Sequence, residues 1–392
     1  MYKIQTLNKI SNFGLELFPR DNYEIASEIV NPDAIIVRSF KMDEMEIPKS
    51  VQSIARAGAG VNNIPVDKCT EKGIVVFNTP GANANGVKEL VLAGLFVSSR
   101  RLIPGLMWAK SLIGKADEVP KLVEKGKSDF VGPEIKGKTI GVIGLGAIGV
   151  MVANDCVALG MKVIGYDPFI SVEAAWKLSS SVKRANGIES LLAECDYISL
   201  HVPLSDKTKG IINKERFAIM KKGVRILNFS RGGLVNNNDL VEALNDGTVS
   251  IYVTDFPDEN LLKQEKVIAF PHLGASTPEA EDNCAIMAVN QTKDYLERGN
   301  IKNSVNFPDC DLDFRSQTRL VIANKNVPNM ISQITTLLAA EKINVSDMLN
   351  KHKGEAAYNI IDVDGDVGED TLTKIRAIDG VIMARIIKNK SE

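Results

Sequence analysis

The chain has 392 residues, 44% of them hydrophobic and 24% charged, with a formal net charge of −2. A chain of this length outgrows one hydrophobic core, so two or three domains are expected, with the composition of a globular protein. The near-neutral balance gives no electrostatic pull toward nucleic acid or an anionic membrane, and no apolar run reaches the length of a membrane span.

From the N-terminus, residues 1–7 and 34–37 read as strands, the second ending in Arg38-Ser39. Residues 53–56 form another and pass into Ala57-Gly58-Ala59-Gly60-Val61-Asn62-Asn63; residues 74–77 lead to Asn78-Thr79-Pro80-Gly81. Strands alternating with helical patterns at this spacing predict a small parallel α/β layer. From 87 to about 110, apolar residues recur at helical spacing (Val87, Leu90, Val91, Leu95, Val97), which predicts one long buried helix crossing between domains.

Residues 139–143 are an apolar, β-rich run, read as a buried strand, and they enter Gly144-x-Gly146-x-x-Gly149. The first glycine makes a tight turn, the second lets the backbone approach a pyrophosphate, and the third lets helix and strand pack closely. A helical pattern over 151–159 follows, so free N–H groups at its start face the phosphates. The next strand, 162–166, ends on Asp167, about twenty residues past the first glycine, where an acid holds the adenosine ribose hydroxyls. That order predicts a dinucleotide site, and NAD over NADP, because no arginine closely follows Asp167 to meet a 2′-phosphate. The alternative is a glycine-rich turn in some other α/β domain.

The alternation continues. A helix over 188–194 precedes a strand over 197–200 that ends at His201-Val202-Pro203. A helix over 213–220 precedes a strand over 224–229 that ends at Ser230-Arg231-Gly232-Gly233. Asn238 reads as the cap of a helix to Asn245, closed by Gly247. Strands at 251–254 and 267–270 follow, the last ending at Pro271-His272-Leu273-Gly274. Ligands of open parallel sheets bind beyond the carboxyl ends of strands, where Arg231, Asp255 and His272 sit. After a helix over 278–298 and an irregular stretch, residues 318–387 read β-α-β-β-α-β, the ferredoxin-like arrangement.

Five scattered cysteines without metal spacing read as reduced thiols of a cytosolic protein, and no metal site or leader is expected. The three histidines are His201, His272 and His352. His272 is the candidate acid/base, since imidazole titrates near neutral pH, with a structural histidine as the alternative. His201 reads as structural, and His352 as structural or surface. Arg231 has the geometry to hold a carboxylate bidentately, unless it is a strand-end ion pair. Glu259 is a candidate partner for His272, with Asp258 as the alternative, unless both are plain loop charges. Arg38 and Arg56 suit a second substrate anion such as phosphate, or are surface charge.

Taken together, Arg56 to Asn63, Asn78-Thr79-Pro80-Gly81, the glycine loop, Ser230-Arg231-Gly232-Gly233 and Pro271-His272-Leu273-Gly274-Ala275-Ser276-Thr277 resemble the D-isomer-specific 2-hydroxyacid dehydrogenases. The resemblance covers essentially the whole chain. It implies a Rossmann-like NAD domain (89–282) inserted in a flavodoxin-like substrate domain (1–88 and 283–310), then a ferredoxin-like, ACT-like regulatory domain (317–390). It implies catalytic roles for Arg231, Glu259 and His272 and substrate contacts from Arg38, Arg56, Ala57 and Gly58. The cofactor positions are Gly144, Gly146, Ala147, Ile148, Gly149, Asp167, Pro203, Phe229, Ser230, Asp255 and Gly274.

The activity implied is NAD-dependent oxidation of D-3-phosphoglycerate to 3-phosphohydroxypyruvate, the first step of L-serine synthesis, in a cytoplasmic homodimer or homotetramer. The alternatives are reduction of glyoxylate, hydroxypyruvate or 2-oxoglutarate, or a non-catalytic NAD-sensing module. Asn326 and Asn344 match L-serine-contacting positions, and Asn324, counted with them, stands where a histidine is usual; Asn329 replaces a glycine, and the alternative is a domain that serves only as a dimerisation surface. The family reads Asp-x-Phe before its glutamate, whereas here Asp255 directly precedes Phe256, and Lys88 stands where a small residue is commoner.

Overall fold

The computed structural model describes residues 1–389, so Lys390, the last residue of the expected 317–390 domain, lies outside the described residues. The chain divides into two compact units: Met1–Asn83 together with the chain from Glu281 onward, and Ala84–Ala280.

The first unit contains a five-stranded parallel sheet in the order Tyr23–Ala26, Tyr2–Leu7, Ala34–Val37, Ser53–Arg56, Val75–Phe77. Ala34–Val37 is buried throughout, which explains its unbroken apolar run. The edge strand Tyr23–Ala26 was not expected. Only Tyr23 is buried there, so the sequence shows no alternation to read. Ile4, Ile36, Val75 and Phe77 share a core with Ala285, Ala288, Val289 and Leu296 of the helix Pro278–Arg298.

The same unit carries a four-stranded antiparallel sheet in the order Asn344–Lys353, Ala356–Asp364, Thr318–Lys325, Val381–Lys388. With the helices Met330–Ala340 and Glu369–Arg376 it completes the ferredoxin-like order. Leu320 and Ile322 pack against Ile334, Leu338, Leu372 and Ile375 of these helices. Val321, Ala323, Tyr358 and Ile360 instead join the core that holds Tyr295 and Phe307. Arg319 is fully buried. It meets the two Asp362 oxygens at 2.6 and 2.9 Å and donates to the carbonyls of Arg298 (2.9 Å), Leu312 (3.0 Å) and Asp313 (2.9 Å). A buried ion pair is tolerable when the remaining donors are satisfied in this way.

The second unit is built on a seven-stranded parallel sheet in the order Val267–Ala269, Val249–Thr254, Val224–Asn228, Tyr197–Leu200, Thr139–Ile143, Lys162–Tyr166, Lys183–Arg184. Chain order reverses at Thr139–Ile143, which makes the topological switch point where such sheets bind ligands. The expected long helix is two, Ala84–Ser99 and Leu102–Ser111, bent by 67°. Pro104 is the cause: in a continuous helix its ring would meet the carbonyl of Arg100. The first helix buries Val87, Val91 and Leu95, whereas the second buries nothing. Among the described residues, no single helix is long and apolar enough to cross a membrane. The cap expected at Asn238 is Asn236, whose side chain accepts from the N–H groups of Asn238 and Asp239 and starts the helix Asn237–Asn245.

Candidate active site

In the second unit, Gly144 adopts φ +93° and donates to the Tyr166 carbonyl at 2.8 Å, which turns the chain at the end of its strand. A Cβ at Gly149 would lie 1.9 Å from the Gly144 carbonyl oxygen, so no side chain fits there. A Cβ at Gly146 would meet nothing within 4 Å, and that leaves open space over the loop. The helix Ala147–Ala158 starts at Gly146 with no side-chain cap, so its first N–H groups stay available to a ligand. Asp167 accepts from Leu145 N–H and Phe169 N–H, each at 2.8 Å, which fixes one carboxylate oxygen to each amide. An uncapped helix start, an open glycine and a clamped carboxylate fit the pyrophosphate and ribose of NAD.

Nearby strand ends carry the other cofactor positions. Ser230 donates to the Leu200 carbonyl at 2.6 Å, and Phe229 is buried over Gly94, where a Cβ would come within 2.8 Å of its ring. The Pro203 carbonyl accepts from Thr208 at 2.6 Å, holding the exposed loop after His201. His201 Nε2 pairs with Ser199 Oγ at 2.8 Å, while Nδ1 is buried without a partner. Burial pushes the His201 imidazole down to about 4, so it is neutral at pH 7 and stays a structural residue.

Arg231 is exposed at the end of Val224–Asn228, in a turn held by Asn228 Nδ2 donating to the Arg231 carbonyl at 2.9 Å. His272 is exposed beside the Phe256 ring, with centroids 4.5 Å apart. Between these two elements Asp255 is only 2% exposed, and neither carboxylate oxygen makes a hydrogen bond of standard geometry. Burial raises the Asp255 carboxyl above its ordinary range, opposed by His272, by the Gly274 amide and by Arg231. The structure therefore gathers Arg231, His272 and Asp255.

It does not bring the expected carboxylates to His272. Glu259 is 84% exposed and pairs with Lys263 at 2.7 Å, and Asp258 caps the helix Glu259–Leu262 through Leu261 N–H. With no residue between Asp255 and Phe256, Asp258 falls at the cap and Glu259 in the first turn, positions that helix ends favour for acids.

In the first unit, Arg38 and Arg56 follow or end adjacent strands, and Arg56 Nε donates to the Arg38 carbonyl at 3.0 Å. The Arg56 guanidinium folds across Gly58, where a Cβ would lie 2.5 Å from it. Ala57 N–H donates to the Val37 carbonyl at 2.8 Å, and the Gly58 carbonyl accepts from Thr79 N–H at 3.1 Å. Arg38 pairs with Glu281 at 2.7 Å, which holds the Glu281 carboxyl below its usual range.

Residues 106–274 match the family model described as the D-isomer specific 2-hydroxyacid dehydrogenase, NAD binding domain. D-3-phosphoglycerate dehydrogenase from Methanocaldococcus jannaschii is 39% identical over 294 residues, covering 73% of this chain and 54% of that protein. The chain is thus similar to the D-isomer-specific 2-hydroxyacid dehydrogenases, and residues 106–274 carry the match to their NAD binding domain. The Archaeoglobus fulgidus D-3-phosphoglycerate dehydrogenase is 37% identical over 298 residues, covering 74% of this chain and 54% of that one. This chain thus spans about half the length of the curated relatives it matches. The crystal structure of NAD+-bound 3-phosphoglycerate dehydrogenase from Entamoeba histolytica superposes with a TM-score of 0.60 at 29% identity, covering 78% of this chain and 98% of that one.

The antiparallel sheet carries a cavity of about 530 Å³ that Asn324, Asn326, Asn329 and Asn350 help line. Asn324 is buried and accepts from Asn359 at 2.6 Å, and Asn359 in turn accepts from Asn350 at 2.6 Å. Asn326 donates to the Gly354 carbonyl at 3.3 Å. Asn344 lies apart from this cavity within the chain, at the start of its strand, where it donates to Asp364 at 2.7 Å. Asn329 adopts φ +72°, the left-handed conformation that suits glycine better. Sequence reasoning missed Asn350, Asn359 and Glu281. A lone amide inside the apolar run 356–363 was the available signal for Asn359.

Proposed function

We propose that this chain oxidises D-3-phosphoglycerate to 3-phosphohydroxypyruvate with NAD, opening L-serine synthesis. The observation that carries this reading is the pair Arg38 and Arg56 on adjacent strand ends, in addition to Arg231. Three guanidinium groups suit a substrate with both a carboxylate and a phosphate. The names of the relatives agree with it.

In this mechanism Arg231 holds the substrate carboxylate, and Arg38 and Arg56 hold the phosphate. Bound NAD supplies the hydride-accepting nicotinamide. His272 takes the hydroxyl proton onto its ring, and Asp255 beneath it stabilises the imidazolium that results. Glu259 is kept as a second acid able to approach His272 once its exposed pair with Lys263 opens. We assign residues 1–88 and 283–310 to substrate binding, 89–282 to NAD and 317–390 to an ACT-like role. Asn324 and Asn326 contribute to an L-serine site there, with Asn344 serving a neighbouring subunit of a homodimer or homotetramer. The exposed Leu106, Met107 and Ile113 support association between copies.

The test is NADH formation from D-3-phosphoglycerate, D-glycerate and D-2-hydroxyglutarate, with NAD and NADP compared. The proposal expects the highest kcat/KM for the phosphorylated acid with NAD. Equal rates on D-glycerate would favour a broader 2-hydroxyacid dehydrogenase, and no turnover on any acid would favour an NAD sensor.

A further inference from the structure

The guanidinium of Arg38 already holds an anion from the chain itself. Its Nη2 lies 2.7 Å from Glu281 Oε1, with the two side chains 35% and 44% exposed, so solutes reach the pair. The backbone on both sides is fixed. Arg56 Nε and Asn63 Nδ2 donate to the Arg38 carbonyl at 3.0 and 3.4 Å. Asp282, beside Glu281 on the helix Pro278–Arg298, accepts from Ser11 Oγ at 2.5 Å. Parting the pair therefore takes only side-chain rotation.

The same face of that helix looks onto both arginines. Burial raises the Cys284 thiol, about one turn beyond Glu281, and Thr79, Arg38 and Arg56 oppose the rise. Glu281 also has a second cation within electrostatic reach. Arg38 and then Lys9 lower its carboxyl, and Lys9 is exposed with no ion pair of its own among the described residues. A carboxylate released from Arg38 thus has somewhere to turn.

Charge decides which anion keeps Arg38. A phosphomonoester carries about −1.5 to −2 at pH 7 and three acceptor oxygens, more on both counts than a carboxylate. Exposed ion pairs hold together only about two- to fivefold better than apart. A phosphate that meets Arg38 and Arg56 together wins that exchange, and a hydroxyl does not. We propose that Glu281 is a resident stand-in for the substrate phosphate: it holds Arg38 until a phosphate enters, yields it, and takes it back as the phosphorylated product leaves. The proposal rests on the reading of Arg38 as a phosphate-binding residue. Glu281 touches no reacting atom; it sets affinity through Arg38, weakening the hold on phosphorylated acids and leaving unphosphorylated ones unaffected.

The test is a double-mutant cycle on the full chain, read by equilibrium titration with inorganic phosphate and with D-3-phosphoglycerate, which needs no turnover. Glu281→Gln should tighten both by about two- to fivefold. Glu281→Ala should repeat the result, which separates loss of the charge from a new amide contact. Arg38→Met should weaken both, and adding Glu281→Gln to it should change nothing further, because no guanidinium is left to withhold. In steady-state kinetics Glu281→Gln should lower KM for D-3-phosphoglycerate by the same factor, with KM for D-glycerate unchanged. Unchanged or weaker phosphate binding in Glu281→Gln, or equal tightening with and without Arg38, overturns the proposal. If the cycle holds and no acid is oxidised, the exchange stands and the dehydrogenase reading fails.

Discussion

The glycine loop of the second unit and the arginine-bearing strand ends of the first both suit anions, and they are built by opposite means. In the loop the backbone supplies the donors: Gly144 turns, Gly149 admits no side chain, and Asp167 is clamped by two amides. At the strand ends the charge is on side chains, and the backbone only positions them, as when the Arg38 carbonyl accepts from Arg56. A site of the first kind fails when atoms are added and is sensitive in stability. A site of the second kind fails when atoms are removed and is sensitive in rate or affinity.

The largest effect expected is on the side-chain side of this contrast. His272→Ala should lose kcat by about 10²–10⁴-fold, the usual contribution of a general base, with NADH affinity and Tm close to the parent's. Single-turnover kinetics and a binding titration check it together, and near-normal turnover would move the proton elsewhere. Next, Arg56→Met should lower kcat/KM for the phosphorylated acid by about 10–100-fold, the size of a charge-assisted hydrogen bond, mostly through KM. A loss confined to kcat would break the contrast.

Gly149→Ala tests the backbone side. Overpacking there should cost about 1–3 kcal/mol of stability and weaken NAD binding, measured by denaturation and by fluorescence titration. The smallest effect is pH-dependent. His201, pushed down to about 4, stays neutral while the unfolded chain protonates near 6.5. The contribution is therefore fully present above about 6.5 and lost as pH falls toward about 4. Tm measured across that window should fall with pH, and His201→Leu should flatten the fall.

The glycine loop was legible because a demand for no side chain is written directly in residue identity. The strand ends bearing Arg38, Arg56, Arg231 and His272 were legible from apolar runs that stop at a charge. Partnership was harder. Asp255 was visible as a strand-end acid, but its burial beside His272 depends on the packing of Phe256 and Gly274, which no local pattern carries. Glu259 was read as a partner for His272, while its exposed side chain pairs with Lys263 in the first turn of a short helix. The asparagines assigned by resemblance to L-serine depended on sheet register. A bulge between Val345 and Asp347 and the pairing of Asn350 with Asn359 put a different amide at the cavity. The break at Pro104 was readable from the proline, and the strong apolar periodicity before it concealed the point.

Arg319 has a consequence for anyone who would treat this protein as a set of interchangeable cassettes. Cutting the chain just before Thr318 would strip the partners from Tyr295 and Phe307, and would leave the carbonyls of Arg298, Leu312 and Asp313 without the donors that now reach them. The seam lies inside a hydrophobic interior, so a chimera has to carry the segment Arg298–Asp313 along with the antiparallel sheet, and a shortened version meant for crystallisation should end elsewhere.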